Sequence, residues 1–117
     1  MSKIYGVDTT KDYTLVDIRN AIIECFTQAH KKILEQELNE FVSTMDKQNF
    51  ERLKEMNVYK LVHDLFKKIG GDFNKPKKQD LISICDELAK IAKKYRGERI
   101  ISKHYSEIMQ LLEKITN

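Results

Sequence analysis

The sequence predicts an all-α chain, an antiparallel four-helix bundle of up-down-up-down order with a short N-terminal arm. Three observations carry that expectation. Apolar residues recur at helical spacing almost without a break, most plainly in Leu81, Ile84, Cys85, Leu88, Ile91, Ala92 and Tyr95, and a 3.6-residue period gathers them on one helix face. Helix-breaking residues are scarce: one Pro and four Gly in 117 residues. The stretches between periodic segments are short, which makes successive helices antiparallel neighbours. A composition of 41% hydrophobic and 33% charged residues, with no Trp, suits a single globular domain of this length.

Residues 1–13 form the arm, with Ile4, Tyr5 and Val7 as the side chains that would dock it in a groove, and residues 14–117 form the bundle domain. Thr14 and Asp17 make a capping box in which Asp stands in for the usual Glu, and the acid suits the positive end of the helix dipole. The first helix then runs from Leu15 to about Val42 on Ile18, Ile22, Cys25, Phe26, Ala29, Ile33, Leu34, Leu38 and Phe41. Val16, Ala21 and Ile23 widen its apolar face well beyond a narrow seam. Ser43 or Asp46 caps the second helix, which uses Phe50, Leu53, Val58, Leu61, Val62, Leu65 and Ile69, with Asn57 as an interruption. Gly70 and Gly71 end it, since glycine accepts the left-handed cap. A basic loop around Pro76, with Asn74 as candidate cap, leads into the third helix, which stops at Gly97. The fourth opens between Glu98 and Ser102 and buries Ile101, Tyr105, Ile108, Leu112 and Ile115.

At 1.5 Å per residue the first helix would be about 42 Å long and the fourth about 22 Å. The overhang and the broad apolar face lead to the expectation of a homodimer in which the first helix or the arm contacts a second copy. No apolar run approaches the roughly 18 to 20 residues that span a bilayer, and the opening residues lack the apolar core of a signal peptide. Cys25 and Cys85 fall at apolar helical positions and read as buried, reduced thiols, so the expected location is the cytoplasm.

Chemistry-bearing residues are sparse. A hairpin of helices would bring His30, His63 and the segment Asp80–Cys85 to similar heights, a donor set that zinc accepts, but no ligand-spacing motif supports it, and both histidines read as boundary residues. Cys25 and His30 lie about 140° apart around one helix, so they do not form a thiol–imidazole pair. The expectation is therefore a non-enzymatic protein without metal or cofactor, acting as a protein-interaction or assembly module.

A nucleic-acid-binding accessory protein is the alternative. The formal charge is only +3, but residues 67–104 hold eleven Lys and Arg against five Asp and Glu. Lys75, Lys77 and Lys78 lie at one end of the third helix, and Lys93, Lys94, Arg96 and Arg99 at the other, and such clusters can meet phosphates. Phe73 stands among the first group as a ring that could stack a base, whereas Tyr95 completes the apolar stripe and reads as core. Met45, Met56 and Tyr59 would make an adaptable contact surface if exposed; the preferred reading packs them at the end of the bundle.

Overall fold

The computed structural model describes residues 3–39, 47–95 and 97–115. The chain is all-α, as expected, and among the described residues five helices are formed: α1 (Leu15–Asn39), α2 (Lys47–Glu55), α3 (Val58–Lys68), α4 (Lys78–Lys94) and α5 (Glu98–Glu113). Ahead of them a minimal antiparallel hairpin pairs β1 (Lys3–Ile4) with β2 (Val7–Asp8). The proposed caps Ser43 and Asp46, the expected end of the first helix at Phe41 and Val42, Met45 and Arg96 lie outside the described residues.

α1 begins as its sequence indicates. The Thr14 N–H donates to Asp17 Oδ2 at 2.8 Å and the Asp17 N–H to Thr14 Oγ1 at 3.2 Å, a reciprocal box that satisfies two otherwise unpaired donors. Its broad apolar face is covered within the chain. Ile18, Ala21, Ile22, Cys25, Phe26, Ala29 and Ile33 are all buried, because α1 packs on α5, α3 and α4. Half-buried Ile23 packs against the same core. The breadth that suggested a second copy is thus consumed by neighbouring helices and the hairpin.

The expected second helix is two. Asn57 has extended backbone angles (φ −118°, ψ 113°), and its side chain accepts from the Lys60 N–H at 3.1 Å. An Asn in that conformation is an N-cap, so the residue foreseen as an interruption stops α2 and starts α3. Among the residues of α2 only Leu53 is fully buried. Its carbonyl lies 2.5 Å from His30 Nε2, and since a carbonyl can only accept, that nitrogen carries the proton. α3 ends in a Schellman motif: the Gly71 N–H reaches Phe66 O at 2.9 Å, the Gly70 N–H reaches Lys67 O at 3.2 Å, and Gly70 takes φ +72°.

Two helix ends differ from expectation. Asn74 does not cap α4; its N–H donates to Asp72 Oδ1 at 2.9 Å in a turn before the helix, while Asp80 Oδ2 accepts the N–H of the true N-cap, Lys77, at 3.2 Å. The expected stop at Gly97 comes three residues earlier: α4 ends at Lys94, and Gly97, with φ −99°, precedes α5 as its N-cap. Glycine is needed there for space. A Cβ at Gly97 would run into the Ile33 side chain and sit 3.1 Å from the Ala92 carbonyl.

The described part of the arm packs on the bundle. Tyr5 (φ 50°) and Gly6 (φ 86°) form the two-residue loop of the hairpin, matching the left-handed pair that a type I′ turn requires. Val7 is buried, and Ile4, Tyr5 and Tyr13 pack on the main core. Among the described residues no helix is long and apolar enough to cross a membrane.

Gly97→Ala is expected to destabilise the fold by about 1–3 kcal/mol through overpacking, read as a lowered urea midpoint. In an Ile33→Val background, which removes the obstructing methyl, the penalty of the same substitution should shrink; an unchanged penalty would show that the clash is not its source.

Candidate functional site

Phe73 is the hub of a surface built from three elements. The loop after α3 turns on the Gly70 cap and closes with the Lys75 N–H on Asp72 O at 3.1 Å, which brings Phe73 back over the helix it has just left. His63 stacks on the Phe73 ring at a centroid separation of 3.6 Å and 18° between planes. The Arg19 guanidinium of α1 lies over the same ring at 4.1 Å. Two groups so close to one centroid must occupy opposite faces. Tyr59 and Phe66 meet the ring edge-on at 5.8 and 5.6 Å, and Arg19 Nη1 also donates to the Phe73 carbonyl at 2.6 Å.

The outer member of the pile is Tyr59, 4.7 Å from His63 and 55% exposed. This overturns its expected place at the end of the core; Met56, the neighbour grouped with it, is half-buried. On the α3 wheel Tyr59, His63 and Lys67 fall within an arc of about 80°, with Lys60 about 20° beyond it. Exposed Lys60 and Lys67 therefore follow Tyr59 and His63 around α3, with exposed Asp64 about 40° beyond Lys60. Arg19 spends Nε and Nη2 on Asn20 Oδ1. All of its acceptors are neutral, so its charge is held in place without being cancelled.

A second cluster pins the hairpin. The Tyr5 hydroxyl bonds with His104 Nδ1 and lies 3.4 Å from Glu107 Oε1, and it also reaches the Cys25 thiol. Burial raises the Tyr5 hydroxyl above its usual range, with Cys25 and Glu107 adding to the shift. His104, 5% exposed, is pushed down by burial first and by Lys32 and Lys103 second, against the pull of Glu107. Burial carries the Cys25 thiol up to about 12, and Cys85 is raised for the same reason. Protonated thiols of this kind are poor nucleophiles. Further along, the Tyr13 hydroxyl donates to Leu111 O at 2.8 Å, a second pin from the same segment to α5.

No protein-family model, curated protein or solved structure matches this chain.

The residues weighed and set aside as metal ligands have other surroundings. His30 bonds to the Leu53 carbonyl beside an apolar cavity of about 30 Å³ walled by Phe26, Ile33, Met56 and Leu88 among others, room for roughly one water. His63 stacks on Phe73 at the surface, and Cys85 is buried against α1. Among the described residues no group of three His, Cys, Asp or Glu side chains is placed to hold an ion.

The basic residues also part company. Lys75 and Lys77 are exposed, but the Lys78 ammonium donates to the Ile115 carbonyl at 2.9 Å. Lys93 lies about 22 Å from Lys78 along α4, in a shallow groove that also contains Asp86 and Glu98. Lys94 leans toward the Tyr95 ring, Arg99 lines a dip beside Glu98, and Arg96 is outside the described residues. Tyr95 is buried, as its place in the apolar stripe indicates. Phe73 is unavailable as a stacking platform because both of its faces are covered.

His104 is the residue that sequence reasoning passed over. Its spacing of three from Ile101 and four from Ile108 was the available signal, placing it on the core face of α5. A depressed folded pKa means that the unfolded chain binds the proton more readily, so this contribution to stability is whole above the unfolded value of about 6.5 and drains away as pH falls from there toward the folded one. Urea midpoints should accordingly drop between pH 7.5 and 5, and His104→Gln should flatten that part of the profile; an identical profile in the variant would assign the acid sensitivity elsewhere.

Proposed function

We propose that this chain is a non-enzymatic interaction module that holds a protein partner on the face formed by Tyr59, His63, Phe73 and Arg19. The observation that carries the reading is the exposure of Tyr59 on a pile of rings clamped from beneath. Tyrosine and arginine dominate binding hot spots, and a ring with two side-chain torsions loses little freedom on docking. Among the described residues the exposed large hydrophobics are Tyr59 and Ile69, both contributed by α3 and its cap. An anchor already held in place lowers the ordering cost of association.

Homodimerisation through the first helix has less support than its periodicity suggested, since the apolar breadth of α1 is absorbed by α3, α4, α5 and the hairpin. A nucleic-acid partner is likewise weakened: Lys78 is spent on a carbonyl, and acids accompany Lys93 and Arg99. We read α1, the broken α2–α3 pair, α4 and α5 as four legs of an antiparallel bundle, and the two free buried thiols suit a reducing cytoplasm.

Photocrosslinking tests the reading. With benzoylphenylalanine in place of Tyr59, irradiation in the native cell should yield discrete protein adducts that are absent when the probe replaces Lys90 on α4. Adducts only of twice the chain's own mass would reassign the face to self-association; no adduct specific to position 59 would overturn the proposal.

A further inference from the structure

We propose that the N-terminal hairpin is an acid-released strap: residues 3–8 lift from α1 and α5 when His104 takes up a proton, uncovering Cys25 while the helices stay packed. This device is separate from the Tyr59 face and does not depend on it. The hairpin holds little by itself. Its strands are two residues each, with Lys3 paired to Asp8 and Ile4 to Val7, and a two-stranded hairpin is marginal without a surface to rest on. Tyr5 stands at φ 50°, where a type I′ turn favours Asn, Asp or Gly. The turn is therefore strained, and only its contacts offset that strain.

The polar part of those contacts converges on one buried imidazole. Val7 is buried, and Ile4 and Tyr5 pack on the main core. The Tyr5 ring lies 5.3 Å from that of His104 between centroids, and its hydroxyl bonds with His104 Nδ1 and lies 3.4 Å from Glu107 Oε1. Among the described residues His104 is the buried polar side chain. Protonation would make both ring nitrogens donors and place a cation in this enclosure. The charged groups facing it are Lys103 and Glu107 on α5 itself and Lys32 on α1. Tyr5 of the hairpin and Cys25 of α1 are neutral, and on α4 Asp86 accepts from the Tyr105 hydroxyl at 2.5 Å. One carboxylate thus stands against two ammoniums and the loss of water, and the balance pushes His104 down. Lifting Tyr5 away returns the imidazole to water and its ordinary range, so proton uptake and release of the strap are linked.

The fastening behind the strap does not respond to acid. The Tyr13 hydroxyl donates to Leu111 O at 2.8 Å, and neither a phenol nor a carbonyl changes its protonation between pH 7.5 and 5. The Thr14–Asp17 box follows at once. Release therefore ends within residues 10–12, which are exposed. Beyond them α1, α3, α4 and α5 share a continuous core, so the opening is local. Its equilibrium constant should rise by up to about tenfold per pH unit as pH falls from about 6.5 toward the folded value of His104.

The two thiols report local and global opening separately. Both are buried and free; the Tyr5 hydroxyl reaches Cys25, whereas Cys85 lies on α4 in the main core. The full chain is treated with dipyridyl disulfide from pH 7.5 to 5, and the modified thiol is assigned by peptide mass spectrometry. Dividing each rate by that of the urea-unfolded chain at the same pH cancels the ionisation of the thiol itself. The ratio at Cys25 should rise about fivefold or more across this range, with Cys85 unmodified and far-UV circular dichroism unchanged. His104→Gln should hold the Cys25 ratio within about twofold throughout. Tyr5→Phe, which keeps the ring and removes the hydroxyl, should raise it several-fold at pH 7.5.

A Cys25 ratio that does not change with pH would overturn the proposal. So would Cys25 and Cys85 rising in step, which would make the whole fold the target of the proton, or a rise that persists in folded His104→Gln, which would assign it to another group. Should His104→Gln fail to fold, the comparison of the two thiols in the unaltered chain and in Tyr5→Phe decides the matter: a Cys25 ratio in Tyr5→Phe equal to that of the unaltered chain at pH 7.5 would sink the strap.

Discussion

The breadth of the apolar surface on α1 is the constraint from which the rest of the structure follows. A helix that buries Ile18, Ala21, Ile22, Cys25, Phe26, Ala29 and Ile33 cannot be satisfied from a single side, because these positions wrap well beyond the stripe that one neighbour can cover. Enclosure requires partners on several flanks, and the chain supplies them in α3, α4, α5 and the hairpin. Small residues make the enclosure tight. Gly97 lets the approach to α5 pass directly over Ile33, and any larger residue would hold the two helices apart.

Covering α1 from within has a consequence at the surface. The hairpin closes over part of it, held by Tyr5 against His104 and by Tyr13 against Leu111. Tyr5 adopts φ 50° to do so, a backbone conformation that a bulky side chain keeps only when its surroundings fix it. The Tyr5 hydroxyl, His104, Glu107 and Cys25 are residue types familiar from catalytic sites, but burial works against that use here. It drives the thiol up and the imidazole down, which keeps both neutral and suits them to packing against the strap. The cluster is better understood as the fastening that completes the cover of α1.

Local chemistry was legible and long-range chemistry was not. The Thr14–Asp17 box, the glycine cap after α3, the burial of Tyr95 and the disruptive character of Asn57 each depend on residues within a few positions of one another, and each was visible as a pattern. Asn57 was nevertheless undervalued: its extended backbone turned an expected interruption into a boundary between two helices. His104 was readable as a core position, but its partner Tyr5 lies 99 positions away. Arg19 and Phe73 are separated by 54, so the clamp that closes the faces of Phe73, and removes it as a base-stacking platform, has no signature in either segment alone. Gly97 carried a turn-like signal for a steric reason that becomes apparent only when Ile33 is beside it.

The distribution of charge makes the same point about function. Counted along the chain, the cation surplus belongs to residues 67–104, which directs attention to the ends of α4. In space that surplus is divided between sites roughly a helix length apart, and part of it is spent on the Ile115 carbonyl or accompanied by Asp86 and Glu98. The surface around Phe73 takes Arg19, Lys60 and Asp64 from the half of the chain where acids outnumber bases, and joins them to Lys67 and Asp72 from the basic segment. Electrostatic recognition depends on which charges share a surface and what holds them there. On this chain Phe73 is what holds them: it ties the loop to α3 and fixes the α1 guanidinium beside the rings.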